Sequence, residues 1–391
     1  MRLRSKPAGT FLLILVCLAI SVAAQTDEGY SYTPPVSIIG DWATGTLTDV
    51  GIAQQPIEDA IQGILDGDYE RVHSVIIVKD GLLVLEEYFR GFTYVSPTRW
   101  AVSEVLFGRN RIHNLASLTK SITSVLVGAA IYQGFIRGVD EAIFSFFSEL
   151  EDLITPEKDA ITIEHLLTLT PGWQWFENTQ MVEENCMYQF NIADSPLRYL
   201  VGLPMEALPG EQWTYNGGAV SLLGKLIEAA SGMPIDVFAN RHLFGPLGIL
   251  LYRWPRMQYD FIATHGDLKL LPRDVAKIGQ LMLNDGVWEG ERLLPEGWVN
   301  ASITSAHQFL PGEGFYYYTD YGYLWWLMDV EIGGQSYPSY TGAGWGGQRL
   351  IVIPDFNTIV MFNGGNYDSH EPVDDIMIRH ILPALAGDGE T

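Results

Sequence analysis

Ser117 and Lys120 stand three positions apart in Ala116-Ser117-Leu118-Thr119-Lys120-Ser121, the only Ser-x-x-Lys of the chain. The apolar residues that follow, Ile122, Val125, Leu126, Ala129 and Ile131, recur at helical spacing. One turn apart on a helix face, an amine can take the proton of a hydroxyl and turn it into a nucleophile. A serine ahead of an apolar run is also a common helix N-cap. Lys120 argues against a purely structural serine: a cation in the first turn faces the positive end of the helix dipole, which disfavours it by roughly 0.3–1 kcal/mol. The same repulsion favours the uncharged amine that proton abstraction needs. The start of the helix also aims backbone N–H groups at the place where an acyl oxyanion would form.

Two further stretches carry groups that such a reaction needs. Pro209-Gly210-Glu211-Gln212-Trp213-Thr214-Tyr215-Asn216-Gly217-Gly218 puts Tyr215 on a tight loop ahead of a helix bearing Leu222, Leu223 and Leu226, where its hydroxyl can pass a proton between nucleophile and leaving group. Tyr340-Thr341-Gly342-Ala343-Gly344-Trp345-Gly346-Gly347-Gln348 formally contains Gly-x-Gly-x-x-Gly, but a strand follows it where a dinucleotide fingerprint needs a helix. Glycines at a strand edge let a substrate approach closely, so an N–H from Gly342, Ala343 or Gly344 is the expected partner of the Ser117 N–H in an oxyanion hole.

Other candidates are weaker. His165 sits in a leucine-rich helical stretch and reads as a structural residue. His265 with Asp267 fits a cleft or a surface loop equally well. Trp173, Trp175, Trp325, Trp326 and Trp345 are candidates for a pocket wall, with core packing as the alternative. Cys186 reads as a small buried apolar residue, and no Cys/His spacing suits a metal, so no metal or cofactor is expected. The chain has neither a Gly-x-Ser-x-Gly elbow nor a His-Glu-x-x-His.

The elements that must position these groups divide by pattern. Ser74–Tyr88 reads as a hairpin about Asp80-Gly81, with helical spacing before it over Pro56–Leu65. Gln348–Ile353 and Thr358–Phe362 are β-branched runs, and Asp374–Leu385 closes the chain as an amphipathic helix. Between these ends, Ser117–Tyr132, Ile163–Leu169, Ala219–Ser231, Pro234–His242 and Pro272–Asp285 have helical patterns. The expected fold class is α+β: an antiparallel sheet flanked by N- and C-terminal helices, with an inserted mainly helical domain. Residues 28–105 and 310–391 would form a discontinuous sheet domain and 106–309 the helical domain, with the site in the cleft between them.

The first 24 residues carry Arg2, Arg4 and Lys6, an apolar run from Phe11 to Val22, then Ala23 and Ala24, the pattern of a cleaved export signal. The run is short of the ~18 residues that span a bilayer, so no stable membrane insertion is expected after cleavage. Loss of those three cations takes the formal charge from −24 to −27. A periplasmic or secreted protein follows, with an acidic surface that repels nucleic acid and anionic lipid. Its substrate would be a small ester, amide or peptide; oligomeric state is not legible.

Ser117-x-x-Lys120, Tyr215 after Pro209-Gly210, and the glycine-rich strand before Gln348 come in an order and spacing that resembles the serine β-lactamase and penicillin-binding protein superfamily. Supporting stretches are His165-Leu166-Leu167-Thr168-Leu169-Thr170-Pro171-Gly172, Leu271-Pro272-Arg273-Asp274-Val275-Ala276-Lys277 and Tyr321-Gly322-Tyr323-Leu324-Trp325-Trp326. The similar branch is that of class C β-lactamase-related hydrolases, which includes esterases, D-amino-acid peptidases and aminohexanoate-dimer hydrolases. The resemblance implies a β-lactamase/transpeptidase-like fold and an acyl-enzyme on Ser117, with Lys120 and Tyr215 as acid and base and Asn216 among the substrate-binding residues. Two departures matter. The family's Tyr-x-Asn becomes Tyr215-Asn216-Gly217, so Lys120 is expected to lean on another partner. The strand's Lys/His-Thr-Gly becomes Tyr340-Thr341-Gly342, which removes the cation that would meet a β-lactam carboxylate. An ester or small amide is therefore expected over a β-lactam or a D-alanyl peptide; a non-catalytic acylated sensor is the rival from another class.

Overall fold

The computed structural model describes residues 29–96, 99–177, 181, 183–256, 261–310 and 318–387. The expected leader lies outside them.

The strands are β1 (Val72–Lys79), β2 (Leu82–Tyr88), β3 (Arg90–Ser96), β4 (Arg99–Leu106), β5 (His113–Asn114), β6 (Tyr252–Arg253), β7 (Lys269–Leu270), β8 (Val287–Trp288), β9 (Glu291–Arg292), β10 (His307–Gln308), β11 (Asp320–Tyr321), β12 (Trp326–Ile332), β13 (Gln335–Gly344), β14 (Gln348–Ile353) and β15 (Thr358–Gly364). The α-helices are α1 (Gln54–Asp66), α2 (Leu118–Tyr132), α3 (Pro156–Asp159), α4 (Ile163–Leu167), α5 (Cys186–Ile192), α6 (Pro196–Gly202), α7 (Gly217–Ser231), α8 (Ile235–Ala239), α9 (Pro272–Leu283), α10 (Trp298–Ser302), α11 (Val373–Ile376) and α12 (Leu382–Ala386), the last two joined by a π turn over Met377–Ile381.

One eight-stranded sheet runs β10-β11-β12-β13-β14-β15-β1-β2, every neighbouring pair antiparallel. The N-terminal hairpin completes it by docking β1 on β15, with Ile76 opposite Met361. The run Val75-Ile76-Ile77-Val78 shows no polar alternation because both sheet faces are covered. Val75, Ile77, Val360 and Phe362 pack with α1, α11 and α12, while Ile76, Val78, Leu350 and Met361 pack with α2 and α9. The fold is thus the expected α+β architecture, an antiparallel sheet with terminal helices on one face and a helix-rich insertion on the other.

Three details differ from the sequence-based division. The sheet begins at β10, ahead of residue 310, because its edge strand pairs with β11. Strands β3 and β4, within 28–105 but for Leu106, form a separate two-stranded sheet. Helix α9, within 106–309, lies on the sheet against β14, β15 and β1, where its apolar stripe of Val275, Ile278 and Leu281 is buried. Helix α2 runs through the middle of the larger core and is buried from Leu118 to Ala130, which explains why its second half, Val125–Ile131, is apolar on every side.

Candidate active site

Helix α2 is delivered by a short irregular segment. The Leu115 N–H donates to the Leu268 carbonyl (2.9 Å), and the Ala116 N–H donates to Asn114 Oδ1 (3.0 Å). Ala116 then takes φ 46°, a left-handed conformation that costs a residue with a Cβ on the order of 1 kcal/mol. Ser117 follows in a helical conformation and makes no side-chain capping bond. Its Oγ instead accepts from the Lys120 amine at 3.0 Å.

Lys120 is 3% exposed. Its Nζ also donates to the His265 carbonyl (2.9 Å) and lies 4.7 Å from the centre of the Tyr215 ring. His265 is itself held by α7, with Nδ1 2.7 Å from Ser221 Oγ. Burial and the neighbouring Lys120 charge lower the imidazole to about 3, so it is uncharged at neutral pH. The partner that Lys120 was expected to need is in part this backbone carbonyl.

Tyr215 reaches the amine because its loop is pinned at both ends. The Gly210 N–H donates to the Thr170 carbonyl (2.8 Å) and the Thr214 N–H to the Leu169 carbonyl (2.9 Å), which gives the His165–Gly172 stretch its role. Asn216 ends the loop as N-cap of α7, its Oδ1 accepting from the Ala219 N–H (2.9 Å). The Tyr215 ring stacks on Trp326 at 6.1 Å between centres.

Strand β13 forms the opposite wall. A Cβ on Gly344 would fall 2.2 Å from the Leu115 carbonyl oxygen, 2.9 Å from the Leu118 nitrogen and 3.1 Å from the Ser117 nitrogen. A Cβ on Gly342 would lie 3.2 Å from Ser121 Oγ. These two glycines therefore let the strand close on the first turn of α2. Behind the strand, buried Arg349 donates to the Gly344 carbonyl (3.0 Å) and pairs with Glu371, whose Oε1 accepts from the Gly346 N–H (3.0 Å).

The structure brings Ser117, Lys120, Tyr215, Gly342 and Gly344 together. Ala343, between the two glycines, pairs with Arg349 of β14. Asn216 is different: the residue is fully buried and its side-chain oxygen is engaged as a cap. His165 is structural, its Nδ1 accepting from the Thr162 N–H in a capping box. Trp173 and Trp325 are core residues, and Trp345 is half exposed beside β13. Cys186 is buried and unpaired to any other cysteine among the described residues.

Sequence reasoning missed Glu177. Its Oε2 accepts from the Gly217 N–H and from the Trp175 indole, each at 2.7 Å. Burial pushes its carboxyl up against the opposing pull of Lys120 and of these two donors. Nothing in the local pattern distinguishes this acid; its only trace is the missing side chain at Gly217.

The family model for Beta-lactamase matches residues 57–380. The chain belongs to the Beta-lactamase family. This is a family of serine hydrolases, and the Ser117–Lys120 pair lies within the matched span. The 6-aminohexanoate-dimer hydrolase of Paenarthrobacter ureafaciens is 22% identical over 318 residues, 75% of this chain and 72% of that protein. Esterase EstB of Burkholderia gladioli is 26% identical over 195 residues, 48% of this chain and 47% of EstB. The chain thus spans about half the length of several curated relatives that it matches. Among solved structures, a family VIII carboxylesterase superposes with a TM-score of 0.64 over 84% of this chain and 96% of its own, at 14% identity; at that identity the likeness is one of fold.

Proposed function

We propose that this member of the Beta-lactamase family hydrolyses an ester or small amide through an acyl-enzyme on Ser117, and that it does so after export to the periplasm or medium. The observation that carries the proposal is the 3.0 Å contact between the Lys120 amine and Ser117 Oγ, with the amine buried and the serine unused as a cap. Oγ attacks the carbonyl carbon while its proton passes to the amine. The tetrahedral oxyanion faces the Ser117 N–H and an N–H of β13. The proton leaves with the departing alcohol or amine by way of the Tyr215 hydroxyl, and water reverses the sequence to free the acid.

An ester or small amide is favoured because position 340 gives the cleft no cation. Tyr340 is buried edge-on against Trp325, with 5.4 Å between ring centres. The named activities of the aminohexanoate-dimer hydrolase and EstB agree with this class. The test is a panel of a short-chain nitrophenyl ester, a chromogenic cephalosporin, a D-alanyl peptide and an aminohexanoate dimer. The ester is expected to turn over many times and to react best, and Ser117→Ala to abolish both turnover and fluorophosphonate labelling. Labelling of another serine overturns the assignment of the nucleophile, a halt after one equivalent makes the protein a sensor, and preference for the cephalosporin overturns the inference from Tyr340.

A further inference from the structure

Gly217 leaves a space between Glu177 and His265: a Cβ there would lie 3.3 Å from both Glu177 Oε2 and His265 Cβ, and the His265 carbonyl is the one that accepts from the Lys120 amine. The same Cβ would lie 2.2 Å from the methyl of Met187. A larger residue there would have to displace the Met187 methyl and press on Glu177. Glu177 is held from two sides. The Gly217 N–H and the Trp175 indole bind its carboxylate, and Asn185 Nδ2 donates to its backbone carbonyl at 3.0 Å while Asn185 Oδ1 caps α5. Two donors fix the carboxylate and a third fixes its backbone, in a place one residue, Gly217, away from the His265 that Lys120 binds.

We propose that Glu177 is a positioning residue for the acylation step, the counter-charge that faces Lys120 once the lysine has taken the proton of Ser117. Because the proposal rests on the acyl-enzyme reading above, its test is built to fail separately. When Oγ bonds to the substrate carbonyl, its proton converts the Lys120 amine to an ammonium, and Glu177, beyond His265, supplies a negative charge that acts on it through space. Among the described residues, the direct partners of Nζ are neutral: Ser117 Oγ, the His265 carbonyl and the Tyr215 ring. The titratable groups around the amine are then Glu177, Tyr215 and the uncharged His265, with Tyr321 beyond them, raised by burial and by the charges of Tyr215 and Glu177. The carboxylate also ties α7 and the Tyr215 loop to the segment Trp175–Glu177 through the Gly217 N–H.

The discriminating substitutions are Glu177→Gln, which keeps the shape and an acceptor for the Gly217 N–H but removes the charge, and Glu177→Asp, which keeps the charge on a shorter arm. With a nitrophenyl ester, Glu177→Gln is expected to lower kcat by at least about tenfold with KM within twofold, the mark of an interaction made as the reaction proceeds. The acid limb of its fluorophosphonate-labelling profile is expected to move down by about one pH unit, since losing a nearby anion disfavours the ammonium. Glu177→Asp should keep the limb at the wild-type pH even if its rate falls. A purely structural role reverses the order, with Glu177→Gln benign and Glu177→Asp damaged. That result, or an unmoved limb in Glu177→Gln, overturns the proposal. Should Glu177→Gln not fold, the Glu177→Asp limb decides: displacement from wild type refutes the proposal, coincidence supports it. Ser117→Ala in parallel separates the two readings, because a Ser117→Ala protein that still turns over ends the acyl-enzyme assignment whatever Glu177 does.

Discussion

Replacing Gly344 with alanine tests whether β13 forms the wall of the oxyanion site. The added Cβ would stand 2.2 Å from the Leu115 carbonyl oxygen, where an unstrained C···O contact needs about 3.3 Å. Strand and helix start must therefore separate by about 1 Å, and the move is directed along the gap between the Ser117 N–H and β13. The strand cannot yield easily, because Arg349 holds the Gly344 carbonyl and Glu371 holds both Arg349 and the Gly346 N–H. A 1 Å misplacement of catalytic groups lowers rates about 10²-fold, and forcing one methyl into a packed contact costs about 1–3 kcal/mol of stability. The expected result is a Gly344→Ala protein that folds with a lowered Tm and has kcat for a nitrophenyl ester about 10²-fold down, with fluorophosphonate labelling slowed in parallel. Gly342→Ala is the control. Its Cβ would meet Ser121 Oγ at 3.2 Å and Leu118 Cγ at 3.3 Å, side-chain atoms that can give way, so a loss under about tenfold is expected. Wild-type labelling and turnover in Gly344→Ala would refute the placement of the oxyanion site between β13 and α2.

Tyr215→Phe keeps the ring that stacks on Trp326 and removes only the hydroxyl, so kcat should fall by about 10²–10⁴ with KM little changed in steady-state assays. A loss confined to KM would remove Tyr215 from the proton path. A second prediction concerns stability. His73 and His113 are buried with Nδ1 and Nε2 2.9 Å apart, and burial lowers both, His113 to about 4 and His73 further. Unfolded histidine titrates near 6.5, so below that pH the unfolded chain binds protons that the native state refuses, and stability present above pH 6.5 is lost on acidification at up to about 1.4 kcal/mol per pH unit per histidine. Urea unfolding of His73→Leu between pH 6 and 5 should show a shallower pH slope by about one histidine's share; an unchanged slope refutes the assignment.

The legible part of this protein is the part with local rules. Ser117 and Lys120 meet because three positions on a helix are one turn, and the apolar run after them guarantees the helix. The β-branched runs at 75–78, 348–353 and 358–362 announce strands because few other structures use such residues on two buried faces. The Pro-Gly and Gly-rich stretches are those that bring Tyr215 to Lys120 and Gly344 to the start of α2. Asn216 shows the limit of that legibility: beside Tyr215 it reads as substrate-binding, whereas it is buried and its oxygen caps the helix that it precedes. Only the folded chain decided that β1 slots between β2 and β15, that a carbonyl of His265 steadies Lys120, and that Arg349 and Glu371 brace the glycine strand. Glu177 is the clearest case, since it lies 57 residues from Lys120 in sequence and its carboxylate is fixed by the distant Gly217 N–H. Contacts between distant segments depend on shape and packing, which no spacing within a segment records, so the chemistry near Ser117 was written locally and its supporting shell was decided by the tertiary structure.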